Sequence, residues 1–464
     1  MVKYAGMEIP ELQKLTKNRK KQASWVWRLV IAIEIIVAVW LVLEIGLRVY
    51  VEMPLKTDFY SSIPQELVHQ RQVEIGVRTT QGPGWVHLGW IADPDRETYR
   101  VERHEGEFWQ QVDKTQFGSC LLRENGGSYR VLAISNDTGR ARLIGNVDAR
   151  AQDNPSPPVY KPVIAGPWQL LFQPHTSGNY INDHAVYRDA GGDWRLVGIT
   201  SKTDGDYNQE KYFAVGTSKD MPPANGMQES TPVADFGDLA WAPYVISEKG
   251  TYYMFWSPHR LERMTSADGI TWGDRQTVMP APYHKFFRDA MIYKAAGGQW
   301  LLYSTARGLF FSQVDTYQSF DLKEWQYTGT ALSTGWGSER NSAFASTESP
   351  FVMEYKGRYY MSVTYNNDTF FWNGILLPFK IWLDRDSYND TLIFNSDNPY
   401  DFGNYNGSGN APSLVTRLKA HAPEYIYLPD KDAWYITTAG WPWISSLTSG
   451  EAAIAPLRWE AVTR

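Results

Sequence analysis

Apolar and polar residues follow distinct rhythms along this chain. Near its start, a basic stretch carrying Lys14, Lys17, Arg19, Lys20 and Lys21 runs into WVWRLVIAIEIIVAVWLVLEIGLRVYV, from Trp25 to Val51. At about 1.5 Å rise per residue, Leu29 to Leu47 is just long enough to cross about 30 Å of hydrocarbon, which predicts a membrane-spanning helix. Glu34 and Glu44 lie within it, and each costs about 2.5 kcal/mol or more at a bilayer centre. Glu44 can snorkel from its end, whereas Glu34 needs protonation, a partner helix or a shallow position. No A-x-A-like cleavage site follows, so the segment reads as a retained signal anchor. Basic charge ahead of the span leaves residues 1–24 as a cytoplasmic tail and puts everything after Val51 outside. Residues 52–72 read as a stalk.

From Val73 to Arg150 the rhythm changes to strict alternation. In GWVHLGW, Val86, Leu88 and Trp90 share a face; Tyr99 and Val101 do so in ETYRVER, and Tyr129, Val131 and Ala133 in GGSYRVLAIS. Short alternating strands with turn residues between them predict a small β-sandwich. Trp90 in an early strand and Tyr129 in a late one resemble a fibronectin type III module, which implies a spacer or contact role. The next segment, 151–162, contains NPSPPVYKP and reads as a Pro-rich linker.

Residues 163–464 carry a recurrent unit of strand, turn and aromatic strand. Five copies are legible: INDHAVYRDAGGDWRLVGIT (Ile181 to Thr200), LAWAPYVISEKGTYYMFWS (Leu239 to Ser257), FRDAMIYKAAGGQWLLYST (Phe287 to Thr305), STESPFVMEYKGRYYMSVT (Ser346 to Thr364) and HAPEYIYLPDKDAWYITTA (His421 to Ala439). Further short strands and turns such as TSADGITW and QSFDLKEW lie between the copies. Long repeats of this kind are the signature of propeller blades. The fold class expected is all-β: a five-bladed β-propeller preceded by a small β-sandwich and one N-terminal transmembrane helix.

Aligned on Trp194, Tyr252, Trp300, Tyr359 and Trp434, the copies put Asp183, Trp241, Asp289, Glu348 and Pro423 eleven residues earlier. The first strand of each propeller blade lines the central axis, so this register predicts that Asp183, Asp289 and Glu348 converge. Like charges held together raise one another's pKa and cost stability unless they serve a purpose. One carboxylic acid that protonates a leaving oxygen, and one carboxylate that attacks an anomeric carbon or activates water, are what glycosidic cleavage needs. A third tunes the acid or holds hydroxyls. Trp241, in phase with the acids, is a candidate sugar-stacking residue. His184 and His421 are candidates for hydroxyl binding or acid tuning, against plain structural hydrogen bonding. Arg288 and Glu424 are also candidate substrate-binding residues; Arg288 is expected rather to pair with a carboxylate, and Glu424, one residue out of phase, is expected to point off the axis and ranks below Glu348 as the acid.

Composition narrows the classes. A net charge of -6 supplies no basic field for nucleic acid. The single cysteine, Cys120, excludes an intramolecular disulfide and reads as a small buried hydrophobe. The 20 Trp, 28 Tyr and 19 Phe suit both pleated strands and sugar-binding clefts. Trp336, Phe370 and Trp372 are loop candidates for stacking. No His or Cys cluster has zinc spacing, and no phosphate loop or Gly-x-Ser-x-Gly motif is present.

The motifs around the acids resemble the five-bladed propeller glycosidases of glycoside hydrolase families 32, 68 and 43. Asn182-Asp183 is similar to the Asn-Asp-Pro of family 32, where the Asp is the nucleophile; Arg288-Asp289 to its Arg-Asp-Pro, whose Asp stabilises the transition state; and Glu348-Ser349-Pro350 to its Glu-Cys-Pro, whose Glu is the acid. Trp241-Ala242-Pro243 followed by Gly250-Thr251-Tyr252-Tyr253 is closer to family 43, where the first-blade Asp is a base. His184 and Ala290 stand where family 32 has Pro. The resemblance implies an outward-facing, membrane-anchored hydrolase of furanosidic (arabinofuranosyl or fructofuranosyl) linkages in oligo- or polysaccharides. Asp183 would be base or nucleophile, Glu348 the acid and Asp289 the modulator. A transglycosylase or phosphorylase on the same scaffold, and a non-catalytic glycan-binding propeller, are its rivals. No organic cofactor is implied; some relatives hold a calcium ion at the propeller centre, for which nothing in this sequence identifies ligands.

Overall fold

A computed structural model describes residues 32–36, 38–39, 42 and 63–462, except 153–154, 234–235, 281, 285, 308–311, 335–345, 367–387 and 406–412. Most of the expected span, 25–51, and the aromatics Trp336, Phe370 and Trp372 lie outside the described residues. Among the described residues no helix is long and apolar enough to cross a membrane.

Residues at the end of the expected stalk form a helix, Gln65–Ile75, that buries Val68 and Gln72. The alternating region that follows forms two antiparallel sheets. Arg78–Gly82, Trp85–Gly89 and Ser119–Leu122 make one; Phe108–Thr115, Glu97–Glu105, Gly127–Ser135 and Ala141–Ala149 make the other, each in that spatial order. The faces read from alternation are buried: Val86, Leu88, Trp90, Tyr99, Val101, Tyr129, Val131 and Cys120 pack into one core. The Tyr129 hydroxyl donates to the Gly126 carbonyl at 2.8 Å. This module rests against the rest of the chain through polar contacts, including Gln318 Nε2 to the carbonyls of Trp90 (3.1 Å) and Gly118 (2.6 Å).

Each of the five sequence repeats is the opening hairpin of one antiparallel sheet. Sheet I starts with His184–Arg188 and Trp194–Thr200, sheet II with Trp241–Glu248 and Thr251–Ser257, and sheet III with Phe287–Lys294 and Trp300–Arg307. Sheet IV starts with Ser346–Tyr355 and Arg358–Asn366, and sheet V with Tyr425–Leu428 and Ala433–Thr438. Two further antiparallel strands follow in each of sheets I to IV, and sheet III adds a fifth strand, Gly403–Tyr405, parallel to Gln326–Thr334. Sheet V is finished by the C-terminal strand Ala452–Ala461 paired to Tyr160–Ile164, so the end of the segment read as a linker is part of a sheet. Apolar faces of neighbouring sheets share cores. Val197 and Trp256 join I to II, Phe255 and Leu302 join II to III, Leu301, Val352 and Ile436 join III, IV and V, and Ile454 and Leu196 join V to I. The architecture is therefore mostly all-β, several sheets with paired cores, consistent with a propeller.

One irregularity recurs and matters for the site. In sheets II, III and IV the first strand shifts register between Trp241 and Tyr244, Arg288 and Met291, and Glu348 and Phe351. The residue inside each shift has a left-handed backbone: Ala242 (φ 47°), Asp289 (57°) and Ser349 (48°), with Ala422 (44°) at the matching place before sheet V. Such conformations are costly for non-glycine residues, of the order of 1 kcal/mol or more, and persist where surrounding structure imposes them. A bulge sets two consecutive residues against one partner and re-aims their side chains.

Candidate active site

The bulges correct the register argument. Opening turns differ in length, with two residues between the strands in sheets II and IV, four in V and five in I and III. A fixed count of eleven therefore slips between copies. By bulge position Glu348 matches Trp241, Arg288 and His421, whereas Asp289 matches Ala242, Ser349 and Ala422. Asp289 and Glu348 are thus one register place apart, yet both join a single cluster.

That cluster is organised by Arg288 and Ser349. Arg288 is buried and bonds Asp289 Oδ2 through Nη1 (2.8 Å) and Glu348 Oε1 through Nη2 (2.7 Å), so its expected carboxylate partner is a pair. Asp289 Oδ2 also accepts from Ser349 N (3.1 Å) and Thr305 Oγ1 (3.3 Å), while the Asp289 N–H donates to Ser257 Oγ (3.0 Å). The Ser349 hydroxyl donates to Asp183 Oδ1, linking sheet IV to the lead-in of sheet I. Asp183, Asp289 and Glu348 are 9%, 4% and 8% exposed, so all three carboxyls are largely cut off from water.

Burial controls their acidity. Desolvation pushes Asp289 up to about 7 against the pull of Arg288, with Asp183 and Glu348 adding repulsion. Desolvation also raises Asp183, opposed by the Ser349 bond and reinforced by the charge of Glu348. Asp183 and Asp289 are both raised and repel one another, so their titrations are linked.

His421 is buried and stacks on Tyr388, with ring centroids 3.7 Å apart and planes at 16°. Its Nδ1 lies 2.6 Å from the Tyr388 carbonyl, which fixes Nδ1–H as the donor. Desolvation lowers its pKa to about 4, against the charges of Glu348 and Asp289, so the ring is neutral. His184 is likewise buried and lowered to about 4 by desolvation, and its Nε2 meets Thr437 Oγ1 at 2.8 Å. Trp241 is half-buried, edge to face with Tyr207 at 6.0 Å.

Glu424 does not point away. It lines a cavity of about 30 Å³ with Asp183, His184, Tyr244, Asp289 and Ser349. Desolvation, then the charge of Asp183, pushes its pKa well up. The out-of-phase count failed here because the four-residue turn of sheet V shifts the whole first strand. The cavity has room for a water molecule.

Sequence reasoning missed Glu210, which is 1% exposed and accepts hydrogen bonds from Tyr180 Oη (2.7 Å) and Trp441 Nε1 (2.8 Å). It lies in the polar run SKTDGDYNQEKY, where no periodicity marks it. Tyr388 was missed for the same reason. Ser349 sat inside a quoted motif, and only the bulge shows why its hydroxyl reaches Asp183. Among the described residues no group of three or more His, Cys, Asp or Glu side chains is arranged to hold a metal ion.

No family model matches the chain, and no curated protein matches it. Solved structures do. A thermostable family-43 glycoside hydrolase aligns at 18% identity and TM-score 0.45 over 63% of this chain and 97% of its own. The endo-arabinase of Bacteroides thetaiotaomicron aligns at 14% and 0.43 over 62% and 97%. A GH32 β-fructofuranosidase of Bombyx mori aligns at 13% and 0.45 over 63% and 62%. These are distant, partial likenesses of fold.

Proposed function

We propose that the five sheets are the blades of a five-bladed propeller and that the chain is a glycoside hydrolase with Asp183, Asp289 and Glu348 as its catalytic carboxyls. The observation that carries this reading is the buried trio itself, tied together by one guanidinium and one serine hydroxyl. This cluster gathers three buried carboxyls in one hydrogen-bonded network, two of them on the Arg288 guanidinium, and burial raises Asp183 and Asp289 toward their protonated forms. Glycosidic cleavage uses both features: a proton for the leaving oxygen and a charged carboxylate for the opposite face of the sugar.

In this mechanism Glu348 delivers the proton, and Asp183 attacks the anomeric carbon or activates water. Asp289, raised by burial and sharing the Arg288 guanidinium with Glu348, is the modulator. His421 offers a neutral acceptor beside the trio, and Trp241 a face for the sugar ring. The substrate class is a furanoside. The segment 25–51 anchors the enzyme with its catalytic part outside the membrane, and 73–150 is a fibronectin type III-like spacer, supported by its three-plus-four strand order and the Tyr129 hydroxyl bond.

The test is turnover of an aryl-furanoside panel by Asp183→Asn and Glu348→Gln. Each is expected to lose about 10³-fold or more in kcat with an unchanged circular dichroism spectrum. Wild-type turnover by both would sink the assignment. Product analysis with water, sugar or phosphate as acceptor separates hydrolase from transglycosylase and phosphorylase. Sugar binding without turnover would leave a glycan-binding propeller.

A further inference from the structure

Glu210 belongs to no step of that mechanism, yet it is buried beside it. Among the described residues it makes no ion pair; the Tyr180 hydroxyl and the Trp441 indole, both neutral, converge on the same oxygen, Oε1, and the neutral Trp241 side chain also faces it. An ionised carboxylate buried without a cation is expensive. A carboxylic acid, in contrast, accepts at its carbonyl oxygen and carries its proton on the other. The two convergent donors match the uncharged form.

Trp441 connects this group to the trio. Its ring runs parallel to Tyr388 (6.1 Å, 15°) and to Trp443 (5.5 Å, 15°). The Trp441 N–H donates to the Tyr388 hydroxyl at 3.3 Å, and that hydroxyl meets Asn182 Oδ1, next to Asp183, at 3.3 Å. Tyr388 in turn holds His421 by stacking and by its carbonyl. Glu210 therefore sits at the outer end of a continuous chain of contacts ending at Asn182 and His421.

We propose that Glu210 is a positioning residue, an uncharged carboxyl that clamps Trp441 and Tyr180 and thereby holds Tyr388, His421 and Asn182 around the carboxylate trio, releasing them when it ionises. The catalytic part of this inference rests on the hydrolase reading; the clamp itself does not. Desolvation pushes Glu210 up to about 8, with Asp183 adding repulsion and the Trp441, Tyr180 and Trp241 side chains opposing. The titratable groups facing it are Asp183, Tyr180 and Tyr388; Tyr388 also feels Glu348, while Arg288 is engaged by Asp289 and Glu348.

Near-ultraviolet circular dichroism of the full chain tests the clamp without any substrate. The stacked Trp441–Trp443 pair supplies the signal, assigned by Trp441→Phe. In the wild type this signal is expected to change as pH passes through about 8. Glu210→Gln, which keeps the Oε1 acceptor but cannot ionise, is expected to hold the neutral-pH signal to higher pH. In turnover, Glu210→Gln should stay within about threefold of wild type at pH 7 and keep only the alkaline fall in kcat set by the trio's own proton, losing the part that follows the dichroism transition, while Glu210→Ala should lower kcat about tenfold or more, the size of a lost hydrogen-bonded clamp. A pH-independent wild-type signal, or the same transition in Glu210→Gln, overturns the clamp. A clamp transition in a protein that turns over no glycoside would instead count against the hydrolase reading alone.

Discussion

Replacing Arg288 by methionine removes the one cation that grips two of the three clustered acids while keeping an unbranched chain of similar bulk. The lost bonds are 2.8 Å to Asp289 and 2.7 Å to Glu348, both buried. Charge-assisted bonds contribute about 1.5–3 kcal/mol each, and stripping the partner from a buried charge costs about 3–5 kcal/mol in total. The penalty must depend on pH. Asp289 is raised to about 7 even with Arg288 present; without it the folded-state pKa rises further, while the unfolded value stays near 4. A raised folded-state pKa means that stability is present below the unfolded value and lost as pH climbs through the folded one. At pH 5 the orphaned carboxyls take up protons, and the deficit shrinks to the packing loss, about 1–2 kcal/mol. At pH 8 the full 3–5 kcal/mol appears. Urea denaturation of wild type and Arg288→Met at both pH values measures this. A penalty equal at the two pH values, or below about 1 kcal/mol at pH 8, would refute the view that Arg288 neutralises a coupled acid cluster.

Other outcomes follow from the same geometry. Ser349→Ala deletes the hydroxyl that favours the charged form of Asp183, so the acidic limb of the kcat/KM profile should move up by about one pH unit, the equivalent of about 1.4 kcal/mol; an unmoved limb would remove Ser349 from the site. Ala242→Val forces a β-branched residue into a left-handed backbone at φ 47° and should cost about 2 kcal/mol in urea denaturation, whereas Ala242→Gly should be neutral or stabilising. Truncation before Pro167 removes Tyr160–Ile164, which pairs with Ala452–Ala461; the shortened chain should lose cooperative unfolding, as a scan of intrinsic fluorescence against urea would reveal.

Repetition along the chain was enough to identify the opening hairpins, because strand alternation and turn residues are local properties, encoded within about twenty residues. The three acids were also legible, since each sits in a doublet or triplet that a strand opening repeats: Asn182-Asp183, Arg288-Asp289 and Glu348-Ser349. The sandwich core was readable from Trp90, Tyr99 and Tyr129 for the same local reason. Other features needed the folded chain. Turn lengths of two, four and five residues broke the common count, and the bulges lie at Ala, Asp and Ser, which carry none of the signal that glycine would. Glu424 consequently lines the same cavity as Asp183 and Asp289, against the expectation from phase. Tyr160–Ile164 joins a strand almost three hundred positions away in a pairing that no local pattern announces. Glu210 is the sharpest case: an acid in a polar run looks like surface until Tyr180 and Trp441, from distant segments, bury it. Periodicity tells which face of its own strand a residue occupies. Which other side chains share that space depends on how separate sheets meet, and with it the acidity of every carboxyl in the site.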